Sequence, residues 1–311
     1  MTPASDTAYH VPVLAGEVVE LLRNAKTVLD GTLGGGGHSE ALLRAGVERV
    51  IGVDRDPEAL AVARVRLEPF ESARRFHAVQ SNYADIDESP ELRDERFDAV
   101  LLDLGISSRQ VDADERGFTF REGAPLDMRM GTEGDTAADL LNSLDDRGLA
   151  MVFKDFGDEP RAPRLAREIV RRRSTVPFAT SDDLVRAIRG ALGPRSGPGD
   201  FARLFQALRI AVNGEIEGLT RALPMLRDRL RDNGVLAVIT YHSGEDRIVK
   251  HAFRDWSAAC VCPPKQPMCT CRGRSLGTTL TRRAVTPSED EIARNSRARS
   301  AKLRAWQKDG A

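Results

Sequence analysis

A glycine-rich segment near the amino terminus constrains the fold more than any other part of the chain. Four consecutive glycines, residues 34–37, follow the apolar run 27–29 and precede a helix-like segment, residues 40–45. Strand, glycine loop and helix in this order indicate an α/β domain. Glycine adopts positive φ without strain and lets the backbone amides at the start of a helix approach a bound molecule. The segment therefore predicts a ligand-binding loop.

The spacing of the glycines disfavours a dinucleotide ligand. Dinucleotide-binding loops carry the pattern G-x-G-x-x-G, and the matching register here begins at Gly34 and Gly36 but places Ser39 at the third position. We therefore expect an adenosine-containing ligand other than a nicotinamide or flavin dinucleotide.

Three aspartates follow predicted strands: Asp30, Asp54 after the run 49–53, and Asp103 after the run 97–102. The carboxyl ends of parallel strands form the ligand crevice of such a sheet, and an acid about 20 residues past the glycines can accept hydrogen bonds from ribose hydroxyls. That role is predicted for Asp54, with a helix-capping or surface role as the alternative. Three acids in one crevice suit a cationic ligand with hydroxyls and amines, such as S-adenosylmethionine, because they would repel phosphates.

Charge and composition give no indication of a strongly basic nucleic-acid-binding protein or of a membrane-spanning protein. The 311 residues carry a formal net charge of −1, so nothing in the overall charge draws the chain to nucleic acid, and Lys is scarce beside Arg. No apolar run approaches the roughly 18 residues of a membrane span. We expect a cytoplasmic protein without a membrane partner.

The four cysteines lie close together in the sequence, as Cys260, Cys262, Cys269 and Cys271. This clustering is unlike the disulfide framework of a secreted protein. Four thiolates could hold zinc, but one residue separates the cysteines of each pair instead of the usual two. The sequence favours reduced thiols in a proline-rich loop, so no metal site is predicted and zinc binding stays open.

The middle of the chain differs in composition from both ends. Residues 113–213 lose the strand pattern and read as an inserted, arginine-rich helical domain between a first part, residues 1–112, and a second part, residues 214–311. Leu165, Ile169 and Val170 supply an apolar edge at helical spacing. The arginines beside them predict a face for RNA phosphates, with a solvated face as the alternative. These arginines are Arg161, Arg164, Arg167, Arg171, Arg172 and Arg173. Four phenylalanines, Phe118, Phe120, Phe201 and Phe205, are predicted to be core residues rather than base-stacking platforms.

Nine short motifs, distributed nearly from end to end, together resemble the bacterial family of 16S rRNA cytosine-N4 methyltransferases. Each motif alone is weak, but all nine occur in the order of the family. They are residues 10–14, 30–32 with 36–39, 54–57, 102–108, 116–120, 125–130, 205–210, 242–247 and 297–300. The chain departs from the family pattern at Gly244, where the family usually has Leu.

The resemblance implies a Rossmann-like class I S-adenosylmethionine-dependent methyltransferase fold with an inserted helical domain. It also implies methylation of the exocyclic amine of one cytidine in the decoding region of 16S rRNA. The partner is then the rRNA of the small ribosomal subunit rather than DNA, and a homodimer is left open. By position, the resemblance assigns cofactor contacts to Gly36, Gly37, His38, Asp54, Tyr83, Asp103 and Gln110. For His38, bracing of the loop is the alternative, and for Tyr83, a core or rim position.

Catalytic roles rest on fewer observations. Asp103, with Ser107 and Ser108 just beyond it, is the candidate to orient the amine or take its proton, and His242 is the alternative base. Asp246 is a further site candidate. The Asn/Asp-Pro-Pro-aromatic motif of many amino-group methyltransferases is absent, since residues 103–106 read Asp-Leu-Gly-Ile. The rival class is a non-catalytic S-adenosylmethionine-binding protein that docks on RNA or assists ribosome assembly.

Overall fold

The chain divides into two compact units. A computed structural model describes residues 12–106, 113–263, 266 and 268–310. The first unit comprises residues 1–105 and 218–311, and the second comprises residues 106–217. The predicted insertion, residues 113–213, lies within the second unit. Of the helices in the described residues, none has the length and apolar character needed to cross a membrane.

A seven-stranded sheet forms the centre of the first unit. Its strand order is β3-β2-β1-β4-β5-β7-β6, in which β7 runs antiparallel to β5 and β6 while the other neighbours are parallel. The strands are β1 (Thr27–Asp30), β2 (Arg49–Asp54), β3 (Phe76–Gln80), β4 (Phe97–Asp103), β5 (Leu230–Thr240), β6 (Gly277–Thr279) and β7 (Lys302–Lys308). The α-helices of this unit are α1 (Ala15–Leu22), α2 (Gly37–Arg44), α3 (Pro57–Ser72), most of α9 (Glu215–Arg229), α10 (Ser243–Ser257) and α11 (Glu289–Arg294). This arrangement confirms the predicted Rossmann-like α/β fold.

The strand order reverses direction at β1. The chain moves outward from β1 to β2 and β3, and then returns to place β4 on the other side of β1. Asp30, at the carboxyl end of β1, is level with Gly52 on β2 and with Leu101 on β4. Open α/β sheets bind their ligands in the crevice outside the strand ends at such a reversal.

Local sequence explains most element boundaries of the first unit. The Asp56 side chain accepts a hydrogen bond from the amide of Glu58, and Pro57 is the first residue of α3, so these two residues define the start of the helix. Asn233 and Gly234 form a residue pair that commonly ends a helix, but they do not end one here. Helix α9 (Glu215–Arg229) ends earlier, and the two residues lie within β5, where the pairing with β4 shifts register. Asn233 adopts a φ of 61° there, which Asn tolerates better than most residues.

The second unit is helical. It contains α4 (Ala137–Ser143), α5 (Asp146–Met151), a π-helical segment (Val152–Phe156), α6 (Ala162–Arg173), α7 (Ser181–Leu192) and α8 (Pro198–Asn213). Leu165 and Ile169 of α6 are fully buried in its core, as their spacing predicted, and Val170 is half-buried. Arg209 of α8 and Glu215 form a bidentate ion pair with distances of 2.8 and 2.9 Å. Both side chains of this pair are about nine-tenths buried.

Three of the four phenylalanines behave as predicted. Phe201 and Phe205 are buried, and Phe118 packs against the same core. Phe120 is the exception, because it is 37% exposed. Its ring still meets Phe201 and Phe205 edge to face, with centroid distances of 5.9 and 6.0 Å. Phe120 therefore covers the core from outside.

Candidate functional site

The carboxyl edge of the sheet gathers polar side chains from four strands. Asp30, Asp54 and Asp103 are the last residues of β1, β2 and β4, and Tyr241 directly follows β5. Asp30 is close enough to raise the pKa of both other aspartates through repulsion between like charges. The predicted convergence of the three acids therefore occurs at the point where the strand order reverses.

The glycine loop bends sharply between β1 and α2. Gly34 has a φ of 50° and Gly36 a φ of 77°, in the left-handed region that glycine enters without strain. A side chain at Gly36 would also be crowded, because its Cβ would lie 2.9 Å from Cδ1 of Leu67. Helix α2 begins at Gly37, and the amides of a first helical turn have no acceptor within the helix. The amides of Gly37 and His38 are therefore positioned as donors toward an anionic group.

Asp54 holds the loop in place. One carboxylate oxygen accepts the amide of Gly34 at 2.8 Å, and the other accepts the amide of Asp56 at 2.9 Å. Burial raises the pKa of Asp54 to about 6, with Asp56 and Asp30 adding repulsion and the two backbone bonds opposing the rise. Each carboxylate oxygen has two lone pairs, so Asp54 can still accept two further hydrogen bonds.

Asp103 has three different neighbours. The Tyr241 hydroxyl donates to Oδ1 at 2.9 Å, Nδ1 of His38 lies 3.7 Å from Oδ2, and the Asp103 amide donates to the Thr32 hydroxyl at 2.6 Å. Burial raises the pKa of Asp103 to about 6, helped by Asp30 and Glu245 and opposed by His38 and Tyr241. Its side chain is 23% exposed. Asp103 is thus a largely buried acid that remains accessible from the crevice.

His38 braces the loop from behind. Its Nε2 lies 2.9 Å from the carbonyl oxygen of Val13, and the ring is buried. Because a carbonyl only accepts, Nε2 carries a proton, and Nδ1 faces the Asp103 carboxylate. These two contacts support the loop-bracing role of His38, because both ring nitrogens face protein groups within the described chain.

In the part of the chain that the structure describes, the basic side chain beside these acids is a histidine, His38, which opposes the rise in the pKa of Asp30 and Asp103. Within the described residues, neither arginine nor lysine forms an ion pair with Asp30, Asp54 or Asp103. Asp30 instead accepts the hydroxyl of Ser39 at 2.7 Å, and burial raises its pKa. Buried carboxylates without a positive partner are unusual, because removal from water disfavours the charged form. A ligand that brings positive charge would remove this imbalance.

Tyr83 lies beside the same crevice in the turn after β3. A Cβ at Gly31 would lie 3.1 Å from Cβ of Tyr83 and 2.6 Å from Cδ2 of Leu102. Tyr83 is half-buried and packs against the core under the sheet. Its ring can therefore serve as one wall of the crevice, which combines the rim position with a ligand contact.

His242 and Asp246 have structural partners. His242 caps α10, because Nδ1 accepts the amide of Glu245 at 3.4 Å. Its Nε2 is buried and makes no hydrogen bond within the described residues, although Oε1 of Glu245 lies 3.1 Å away. Asp246 pairs with Arg304 at 2.7 Å, and the guanidinium lowers the pKa of Asp246 despite partial burial, which acts in the opposite direction. His242 therefore caps a helix and Asp246 forms an ion pair.

Tyr241 was missed in the sequence, as was its supporting residue Glu245. Oε2 of the buried Glu245 accepts the amide of Tyr241 at 2.9 Å and thereby fixes the residue that donates to Asp103. The available signal was position, since Tyr241 directly follows a buried strand of the same sheet. Three predicted residues, Ser107, Ser108 and Gln110, lie outside the described residues.

Only part of the predicted arginine face is free in the second unit. Arg171 and Arg172 both donate to Glu168, with distances from 2.7 to 2.9 Å. Arg164 and Arg167 are exposed, and no hydrogen bond or ion pair joins the side chain of either one to another described residue. The surface available to phosphates on α6 is therefore narrower than the sequence suggested.

Comparison with known proteins gives consistent matches over nearly the whole chain. The model of the MraW methylase family matches residues 7–309. The ribosomal RNA small subunit methyltransferase H of Gemmatimonas aurantiaca is 64% identical over 299 residues, which cover 96% of this chain and 95% of that protein. The protein of the same name from Heliobacterium mobile is 45% identical, with coverage of 96% and 99%. Among solved structures, an rRNA methylase from Streptococcus thermophilus aligns with a TM-score of 0.42 at 12% identity, covering 95% of this chain and 93% of that one.

Proposed function

The chain belongs to the MraW methylase family, and from this premise we propose that it methylates the exocyclic N4 amine of a cytidine in the decoding region of 16S rRNA, with S-adenosylmethionine as the methyl donor. The observation that carries the proposal is the crevice itself. It combines a glycine loop, the amides of a first helical turn and three acids, of which Asp30 is buried and Asp54 and Asp103 are half-buried, with no arginine or lysine partner in the described chain. The rRNA target rests on the names of the relatives.

The residues of the crevice fit S-adenosylmethionine. That molecule supplies a methyl group on a positively charged sulfur and also carries an ammonium group, a carboxylate and a ribose. The amides of Gly37 and His38 are suited to the carboxylate, because a helix amino terminus attracts anions. Asp54 retains acceptor capacity for the ribose hydroxyls, and Tyr83 can pack against the adenine ring. The acids as a group match the positive charges.

Asp103 is our candidate for the group that acts on the cytosine amine. The lone pair of that amine is delocalised into the ring, so the protein must orient the amine and stabilise the positive charge that develops during transfer. An ionised Asp103 can accept a hydrogen bond from the amine and then its proton. Tyr241 and Thr32 fix Asp103 from two sides, which keeps its carboxylate directed at one point. His242 stays a weaker candidate, because its Nδ1 already caps α10.

The helical unit is our candidate for binding the RNA. Arg164 and Arg167 project charge from α6, and the target cytidine must leave its stack to be methylated, which is least costly in single-stranded or loop RNA. We expect the reaction in the cytoplasm, where ribosomes are assembled. A homodimer stays a prediction that sedimentation velocity would test.

The decisive experiment is transfer of a labelled methyl group to small ribosomal subunits that lack the modification. After the reaction, the rRNA is digested and its nucleosides are separated by mass spectrometry. We expect label in 4-methylcytidine with the wild-type protein and little with Asp103→Asn, which keeps the shape of the side chain but cannot take a proton. Calorimetry of S-adenosylmethionine binding to Asp103→Asn shows whether the loss of activity lies in cofactor binding or in methyl transfer.

Two outcomes would contradict the proposal. Label in another nucleoside would agree with S-adenosylmethionine as the methyl donor but would refute N4 of cytidine as the methylated atom. No label in naked rRNA, assembling subunits or finished subunits, together with retained cofactor binding, would favour the non-catalytic docking or assembly role.

A further inference from the structure

A long connection without a core of its own joins α10 to β6 in the first unit. It spans residues 258–276, and none of its described residues is buried. Val261 and Met268 are 45% and 77% exposed, and among the large apolar side chains described in this range only Leu276, at its end, packs against the core of the sheet. Hydrophobic packing therefore contributes little to the conformation of this connection. Another interaction has to supply the free energy that offsets the conformational entropy lost when the connection is ordered.

All four cysteines of the chain lie in this connection, and their sulfur atoms converge on one point. The four Sγ atoms lie within 4.8 Å of one another. Cys260 and Cys262 each lie 3.8 Å from Cys269, Cys271 lies 3.8 Å from Cys260, and Cys269 and Cys271 are 3.4 Å apart. In a regular tetrahedron with Zn–S bonds of about 2.3 Å, neighbouring sulfurs are separated by about 3.8 Å. The spacing of the sulfurs is thus that of ligands around a single ion.

A backbone amide supports the same arrangement. The amide of Val261 donates to Sγ of Cys271 at 3.4 Å. Amide donors stabilise the thiolate form, which is the form that binds a metal, and they orient the ligands in the way that outer hydrogen bonds do in metal sites.

The connection is also anchored on both sides of the cysteines. The Arg272 side chain donates to the carbonyl oxygens of Asp255 and Ala258, at the end of α10. The amide of Leu276 donates to the carbonyl of Trp256 at 2.8 Å, immediately before β6. The cysteines therefore occupy a closed turn with fixed ends, in which one metal ion could replace the missing core.

We propose that Cys260, Cys262, Cys269 and Cys271 bind one Zn²⁺ ion as a closed structural site. Four thiolates in tetrahedral geometry select zinc or iron, and four protein ligands leave no open position for a substrate. A cluster of two irons would spread the ligands over two ions, whereas these four sulfurs surround one centre. Disulfides would require pairs of sulfurs about 2.05 Å apart, and all four cysteines are free. The one-residue spacing within each pair, which favoured free thiols in the sequence, does not prevent the sulfurs from converging.

Metal content of the full chain tests the site without reference to methyl transfer. The protein is expressed in zinc-supplemented medium, purified in reducing buffer without chelator, and analysed by mass spectrometry of its metals. We expect one zinc per chain for the wild type and for Met268→Ser, which alters an exposed side chain of the same connection. We expect loss of the zinc in the double variant Cys262→Ser/Cys269→Ser.

Cobalt gives a second readout that does not depend on folding of a variant. Titration of the zinc-free wild-type protein with Co²⁺ should saturate at one ion per chain and produce the strong visible absorption of a tetrahedral thiolate site. Hydrogen exchange should show that zinc protects residues 258–276 and leaves the central strands unchanged.

Three results would overturn the proposal. The first is a wild-type chain that carries far less than one metal ion after equilibration with zinc while all four thiols react freely. The second is iron in place of zinc at full occupancy. The third is equal zinc content in the wild type and the double cysteine variant, which would place the ion elsewhere.

Discussion

The contact between Tyr241 and Asp103 offers the sharpest test of the proposed mechanism. Tyr241→Phe removes one hydroxyl group and leaves the ring in place. In the native protein this hydroxyl donates to Oδ1 of Asp103 at 2.9 Å and stabilises the ionised carboxylate. Burial works in the opposite direction and raises the pKa of Asp103 to about 6. Removal of the hydroxyl should therefore raise this pKa further.

The size of the change follows from the type of hydrogen bond. A bond to a charged group contributes about 1.5–3 kcal/mol, and about 1.4 kcal/mol corresponds to one pKa unit. Because the side chain of Asp103 is 23% exposed, water can replace part of the lost bond. We therefore expect a rise of about one to two units. At pH 7 the ionised fraction of Asp103 would then fall from about nine-tenths to between about one half and one tenth.

The assay is the pH dependence of kcat/KM for methyl transfer, since this ratio reports the ionisation of the free enzyme. If Asp103 must be ionised, activity rises with pH through the pKa of Asp103. Tyr241→Phe should shift this acid limb to higher pH and lower the rate at pH 7 about two- to tenfold, with near recovery at about pH 9. Carbon-13 NMR of the Asp103 carboxyl group would measure the same shift directly.

Thr32→Val is the matched control, because Thr32 accepts the backbone amide of Asp103 and does not touch its carboxylate. We expect lower stability for this variant and an acid limb at its native position. An equal loss of activity at all pH values in Tyr241→Phe, without movement of the limb, would refute the reasoning and reduce Tyr241 to a packing residue.

The remaining predictions concern the loop, the arginines and the core of the second unit. Gly36→Ala should weaken cofactor binding in calorimetry and lower the free energy of unfolding by more than the about 1–2 kcal/mol that left-handed backbone strain alone costs. Gly46→Ala is the control, because Gly46 has a φ of 106° with open space around it, so this variant should show only the effect of strain. Equal losses of stability in the two variants would contradict the role of crowding at Gly36. Arg164→Gln with Arg167→Gln should lower the slope of log affinity for single-stranded rRNA against log salt by up to about 1.4, measured by fluorescence anisotropy, and an unchanged slope would exclude this face. Arg209→Met should lower the free energy of unfolding by about 3 kcal/mol in denaturant unfolding, since it leaves the buried Glu215 carboxylate without its partner. A loss below about 1 kcal/mol, as for a surface pair, would contradict this expectation.

The parallel part of the fold was predictable because each strand carries its own signal. Continuous apolar runs mark strands that are buried on both faces, and the cap at Asp56 marks the start of a helix. The junction at Asn233 was not predictable in the same way. Asn-Gly ends helices and also fits a bulge in a strand, and only the pairing of β5 with β4 decides between the two.

The residues of the site also differ in whether local sequence or a distant partner determines their role. Asp30, Asp54 and Asp103 could be placed from the strand pattern, because the carboxyl ends of parallel strands share one edge. The roles of His38 and Tyr241 depend on partners far away in the sequence, namely Val13 and Asp103. Spacing within a motif contains no information about such partners. The same holds for the cysteines, whose convergence depends on the path of the connection between α10 and β6.

The cluster of uncompensated acids connects the stability of the fold to its function. A protein under selection for stability alone would pair buried carboxylates with arginine, and this chain does so for Arg209 and for Arg304. At the sheet edge it leaves Asp54 and Asp103 with raised pKa values, so each ionises there against the effect of burial. A cationic ligand opposes that effect for both residues at once. Its affinity therefore includes the electrostatic attraction between its positive charge and the two carboxylates. The same arrangement disfavours anionic dinucleotides, which explains why a Rossmann-like sheet with a broken glycine fingerprint suits a sulfonium cofactor.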